Sequence, residues 1–317
     1  MRFSPETRFD SHNTDPYPDA KMTPGRHPAL ATRRRPTVNK PFRNHRHHCL
    51  FRTTVLPCLL LVLSAGQTIA QKNPDPPLLS ASDIDTRMRM RNSGFHSLYT
   101  QIHMEITTPD KETATRELRM WIQEDRDNET AVLCVVDSPA DLRQTALLSQ
   151  KTAGAESRQW LYLPAAQRVR RLAGGTRGGA FLGSDFSYAD LTGAGIEGSE
   201  PNFSGTAMVG DDACYLLVYT APGKDAVYGK QTVWICKNDF IMRRIDYEDA
   251  RGRPLKTLWL EYHGDPEAIR HGHARNLRMQ NHRNGGQTLV AWRDVQYGVA
   301  LDDRLFDPRM LSESRFR

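Results

Sequence analysis

From Leu98 onward, apolar residues recur at every second position over most of the chain. In residues 99–108, Ile102, Met104 and Ile106 alternate with His103 and Glu105. In residues 117–124, Leu118, Met120 and Ile122 stand against Arg119, Trp121 and Gln123. A two-residue period puts the two sets on opposite sides of a strand, so both runs are expected to be half-buried strands joined at Pro109-Asp110-Lys111. The same reading covers residues 131–136, 143–150, 159–163, 206–209, 215–220, 231–236, 241–248, 255–262, 275–282 and 288–295. Between them stand turn formers such as Ala221-Pro222-Gly223, Lys237-Asn238-Asp239, Ala250-Arg251-Gly252 and Asn284-Gly285-Gly286. No helical rhythm alternates with the strands, so the expectation is a mainly β protein with an antiparallel meander, not a parallel sheet. Runs such as 132–136 and Leu216-Leu217-Val218 are apolar on both sides, which predicts that both faces of the sheet are partly covered.

A helix is expected before the first strand. Ser80-Ala81-Ser82-Asp83 opens it, and Asp83 and Asp85 in the first turn suit the helix dipole. Ile84, Met88 and Arg91 share one face, and Gly94 ends the element. Further upstream lies the apolar run 55–63, after Arg33-Arg34-Arg35 and Arg43-Asn44-His45-Arg46-His47-His48. Small and polar residues follow it, Ser64-Ala65-Gly66-Gln67-Thr68-Ile69-Ala70. This order is that of a secretory signal, and the run falls short of the roughly 20 apolar residues of a membrane span. Cleavage is expected after Ala70, with Gly66 or Ala65 as alternatives. The stretch before about Arg43 is long for a signal, which an early start assignment would explain. Cys58 lacks the small residues of a lipid-anchor site. The expected organisation is therefore an N-terminal extension and signal peptide over 1–70, a Pro-rich linker over 71–79, and one exported domain over 80–317.

The leader changes how charge is read. Of 43 Lys+Arg and 37 Asp+Glu, residues 1–70 hold 11 and 4, leaving 32 basic against 33 acidic groups in the mature part. That balance removes the electrostatic case for a nucleic-acid partner. Three cysteines remain after cleavage. Cys214 and Cys236 lie in successive strands whose ends meet if they pair antiparallel, so a disulfide and two free thiols both stay open. Cys134 reads as a buried apolar residue.

Residues 160–191 break the strand rhythm. Trp160-Leu161-Tyr162-Leu163-Pro164 and Arg168-Val169-Arg170-Arg171-Leu172 read as a hairpin turning at 164–167. Gly174, Gly175, Gly178 and Gly179 suggest a flexible loop. Phe181, Phe186, Tyr188 and Leu191 then follow at a spacing suited to an amphipathic turn or short helix, with Asp185 as its cap. The Trp-x-Tyr-x-Pro strand, the Arg-Arg-Leu strand and the run Gly183-Ser184-Asp185-Phe186-Ser187-Tyr188-Ala189-Asp190-Leu191 resemble the LolA-like outer membrane lipoprotein-sorting proteins. Ile241-Met242-Arg243-Arg244-Ile245 and the ending Leu305-Phe306-Asp307-Pro308-Arg309-Met310-Leu311 extend the resemblance over roughly residues 80–317.

The resemblance implies a curved antiparallel sheet of about eleven strands. This would be a half-open barrel closed by short helices over an oily cavity. It also implies a periplasmic carrier whose partners are lipoprotein acyl chains or lipid, with transient membrane contact and no enzymatic activity or cofactor. An adaptor of an inner-membrane exporter is the alternative. Under the carrier reading, Phe181, Phe186, Tyr188 and Leu191 belong to a lid, and Trp160 and Tyr162 face or support the cavity. Arg168, Arg170 and Arg171 are candidates for lipid headgroups, set against an ordinary solvated strand edge.

Other chemistry is weaker. Ser184 lacks the Gly-x-Ser-x-Gly elbow of hydrolases, and the glycines miss both phosphate-loop patterns. His263, His271 and His273 have no carboxylate or cysteine at metal-site spacing and are expected to be exposed.

Overall fold

The computed structural model describes residues 79–124, 129–152, 157–192, 199–221, 226–262 and 266–313. The expected signal peptide, linker residues 71–78, His263, and Pro222 and Gly223 lie outside the described residues. The helix α1 (Ala81–Arg91) comes first. Ser80 caps it through a reciprocal pair: its Oγ accepts from the Asp83 N–H, and the Asp83 carboxylate accepts from the Ser80 N–H, both at 3.1 Å. Ile84 and Met88 are buried beneath it, and Tyr219 donates a 2.7 Å hydrogen bond to Asp85.

Thirteen strands follow. They are β1 (Ser97–Thr107), β2 (Thr113–Glu124), β3 (Thr130–Ser138), β4 (Ala146–Lys151), β5 (Arg158–Leu163), β6 (Arg168–Leu172) and β7 (Pro201–Val209). The remainder are β8 (Asp212–Thr220), β9 (Lys230–Cys236), β10 (Met242–Glu248), β11 (Pro254–Glu261), β12 (Asn276–Asn281) and β13 (Gln287–Tyr297). A short helix, α2 (Pro266–Arg270), links β11 to β12. Each expected strand is present, and the sheet is wholly antiparallel, curved and unclosed. It has two strands more than the resemblance implies.

Two boundaries differ for clear reasons. The strand β7 reaches back to Pro201, because it is an edge strand that tolerates Pro201 and a bulge beside Gly205 without an apolar rhythm. The strand β4 starts only at Ala146, because Gln144 sits in the left-handed region at φ 67° and turns the chain.

The strand order is β6-β5-β4-β3-β2-β1-β13-β12-β11-β10-β9-β8-β7. First and last strands therefore meet in the middle, while β6 and β7, consecutive in sequence, stand at opposite edges. Their connection has to cross the full width of the sheet. Residues 173–192 lie on that connection, and this is why the segment breaking the strand rhythm lies over the concave face.

Directly opposed residues share a face, and the register builds continuous apolar rows. One runs Val136, Leu118, Ile102, Trp292 across β3, β2, β1 and β13. Another runs Met279, Leu258, Ile245, Val233, Leu217 across β12 to β8. Both belong to one cluster on the concave face, together with Ile84 and Met88 of α1.

The convex face carries a second cluster of Leu133, Val135, Ala146 and Leu148, covered by Leu301, Leu305, Phe306 and Leu311 from the chain's end. Both faces are thus partly covered. Cys214 faces Cys236 directly across β8 and β9, where both are buried free thiols. Burial pushes the Cys214 thiol up to about 12.

Candidate functional site: a covered apolar cavity

The crossing segment does not fill the space beneath it. A cavity of about 380 Å³ remains between it and the concave face, within the usual range for small-ligand sites. Met104, Met120, Val132 and Cys134 line one wall, Met242, Leu258 and Leu260 the other, and Phe181, Phe186 and Leu191 the cover. The sheet wall is built from the alternating residues of each strand, and the cover from three of the apolar residues whose spacing marked it.

The cover is not the expected helix. A bridge between Ala180 and Ser187 folds it into a tight loop, a one-turn 3-10 segment follows at Asp190–Thr192, and the glycines before it form another at Gly174–Gly178. Repeated glycines and short polar residues suit such turns better than an α-helix. Phe181 and Phe186 are buried. Tyr188 packs edge-on against Phe181 at 5.8 Å instead of entering the cavity.

Polar groups fasten this loop to the sheet. Asp185 caps no helix, contrary to expectation. It accepts from Thr288 Oγ1 at 2.8 Å and from Asn281 Nδ2 at 3.0 Å. Asp190 accepts from Tyr228 Oη at 2.7 Å and pairs with Lys256 at 2.5 Å. The side chains of that ion pair are only 3% and 9% exposed, Asp190 first. Lys256 also donates to the Asp185 carbonyl at 3.0 Å and lies over the rings of Tyr228 and Tyr247. Burial and the Asp190 charge both push the Tyr228 and Tyr247 hydroxyls upward, so they stay protonated donors. Gln159 of β5 donates to the Tyr188 carbonyl at 2.8 Å. Sequence reasoning misses Asp190 and Lys256, although Asp190 lies inside the lid motif; a lysine at a buried position of an apolar strand is the signal that could have found the pair.

The other end of the cavity holds Asn92, Glu124, Thr130 and His273. Burial raises the Glu124 carboxyl, partly offset by the backbone N–H groups of Gly94, Phe95 and His96. Burial, and then the neighbouring His271, lower His273 to about 4, so its imidazole is neutral near pH 7. The histidines are not the exposed pair expected. His273 lies 4.7 Å edge-on from Phe95, and its Nδ1 is 3.2 Å from Tyr297 Oη, while His271 packs on Tyr297 at 4.7 Å. Among the described residues, no group of three or more His, Cys, Asp or Glu is placed to hold a metal.

One other expectation is corrected. Trp160 and Tyr162 pack on the convex cluster with Leu148, away from the cavity; the register opposes Trp160 to Leu148 and leaves Leu161 to face Leu147 on the concave side. Their strand is as expected, but a one-residue choice of face decides everything in a strand. Arg168, Arg170 and Arg171 are exposed on the edge strand β6, and none lines the cavity.

A family whose model is described as an uncharacterized protein matches residues 128–313, more than half the chain. Solved structures agree on the architecture. A domain described as a putative outer membrane lipoprotein-sorting protein from Vibrio parahaemolyticus is 27% identical, at a TM-score of 0.67, over 73% of this chain and 97% of that one. A DUF1329 family protein from Desulfovibrio piger is 26% identical, at a TM-score of 0.66, over 73% and 97%. The chain belongs to the matched family, and its fold is LolA-like. A LolA superfamily protein from Nitrosomonas europaea, 16% identical with a TM-score of 0.57 over 73% and 98%, shares the fold. A comparison with curated proteins finds no match. Among the described residues of this LolA-like chain, no helix is long and apolar enough to cross a membrane.

Proposed function

We propose that this LolA-like chain is a periplasmic carrier that shelters acyl chains of lipoproteins or lipids in its covered cavity and moves them towards the outer membrane. The observation that supports this reading best is the cavity itself: apolar side chains of a curved sheet left unfilled beneath a loop held mainly by polar contacts. An acyl chain gains about 0.8 kcal/mol per buried CH₂, so several inserted methylenes supply ample binding energy. Loop closure over such a space is a gating step and needs no catalytic group. The Vibrio parahaemolyticus domain is described by lipoprotein sorting, which fits the same role. The expected leader would deliver the protein to the compartment where that role exists.

The test is organic extraction of the protein purified from an exporting host, followed by mass spectrometry. Acylated lipid is expected in stoichiometric amount, or after incubation with vesicles. Repeated recovery of an empty protein that takes up no lipid would contradict the proposal, and recovery of a membrane transporter without lipid would favour an exporter adaptor.

A further inference from the structure

Resting on the carrier reading, the charge of the cavity wall narrows the cargo. Among the described residues lining the cavity there is no Lys or Arg. The formal charges that do reach it are acidic, and they mark its two polar ends. At one end stands Asp190, whose charge Lys256 already neutralises from behind. At the other stands Glu124, held by backbone N–H groups such as that of Gly94 at 2.8 Å. Beside Glu124, Asn92 has a buried Oδ1 without a hydrogen-bond partner among the described residues. It is pressed against Gly272, where a Cβ would come within 1.9 Å of that oxygen. That oxygen is shut in against Gly272, which leaves the Glu124 carboxylate as the acidic acceptor of this end, and the neutral imidazole of His273 adds no positive charge.

We infer that the cavity selects an uncharged lipid whose polar end carries a hydroxyl or amide N–H, and discriminates against free fatty acids and other anionic amphiphiles. The physical reason is direct. A buried carboxylate needs a cation or several donors to replace its water. A fatty acid brings its carboxylate either to the Glu124 carboxylate or to the closed Asp190–Lys256 pair, which offers it no free cation. The single nearby lysine is committed to Asp190 and the Asp185 carbonyl. A hydroxyl or amide N–H, in contrast, meets the Glu124 carboxylate as an acceptor. Ester- and amide-linked acyl groups of a lipoprotein escape the same penalty, because their linkage carries no charge.

The experiment uses the full chain, the neutral dye Nile red as reporter, and two competitors with the same saturated sixteen-carbon tail, hexadecan-1-ol and palmitate, at neutral pH. The alcohol is expected to displace the dye at least about tenfold more effectively than the acid. Equal displacement by both, or stronger displacement by palmitate, overturns the inference while leaving a carrier of acyl chains intact. Failure of both, with the dye bound, overturns the carrier reading and this inference together. Glu124→Gln should narrow the gap by strengthening palmitate binding; a gap left untouched overturns the role given to Glu124.

Discussion

Lys256→Met is expected to destabilise the protein by about 3–5 kcal/mol, the range for removing one partner of a buried ion pair. The methionine keeps the apolar stem of the lysine, so the loss isolates the charge. Without Lys256, the carboxylate of Asp190 keeps Tyr228 and the Ser187 N–H as donors, the latter at 2.7 Å, but no cation. A second substitution, Asp190→Asn, removes the stranded charge, so the double variant should recover roughly half or more of the loss. Urea unfolding of the single and double variants measures both numbers. A single-variant loss below about 1 kcal/mol would show that water reaches Asp190 and that the cover is not fastened there. The same variant should loosen residues 181–191 before the rest, seen as faster amide exchange confined to that loop.

The second large effect is a dependence on acidity. His273 is held near 4 in the folded protein by burial and by His271, against about 6.5 for an unfolded histidine. The unfolded chain therefore binds the proton first as pH falls. The stability from keeping His273 neutral is complete above pH about 6.5 and declines as pH drops towards about 4, by up to roughly 3 kcal/mol. His273→Gln removes this contribution. The difference in urea midpoint between pH 7 and pH 5 should be smaller in the variant than in the native chain. Equal slopes in the two proteins would mean that His273 is already wet, and that this end of the cavity is open to solvent.

The sheet is legible in the sequence because its physics is local. Alternation in residues such as Ile102-His103-Met104 reports a strand and a face at once, and the turn residues between strands punctuate it. What the alternation does not report is which of two apolar sets faces inward when both faces are covered. Trp160 and Tyr162 are misplaced at the cavity for that reason, while the convex face they occupy is covered by Phe306 and Leu311, far away in the chain. The cover is legible as a motif and in its three apolar contacts, Phe181, Phe186 and Leu191, because aromatic residues amid glycines and short polar residues have few other uses. Its fastening is not. The pairing of Asp190 with Lys256 and of Asp185 with Thr288 spans 66 and 103 residues, a separation no local pattern encodes. The histidines fail similarly: a polar pair reads as exposed until Phe95 and Tyr297 are brought onto it from elsewhere.

The most direct measurement follows from the placement of the tryptophans. Of the five in the chain, Trp292 lines the cavity, whereas Trp121 and Trp160 lie in the convex cluster and Trp234 in a separate buried one. The fifth, Trp259, sits beneath the guanidinium groups of Arg244 and Arg278. A long-chain alcohol brominated along its tail should quench a saturable part of the tryptophan fluorescence, and Trp292→Phe should abolish that part while leaving the remaining emission alone. Quenching that survives the substitution, or none at concentrations where the alcohol is soluble, would place the tail somewhere other than the hollow beneath residues 181–191.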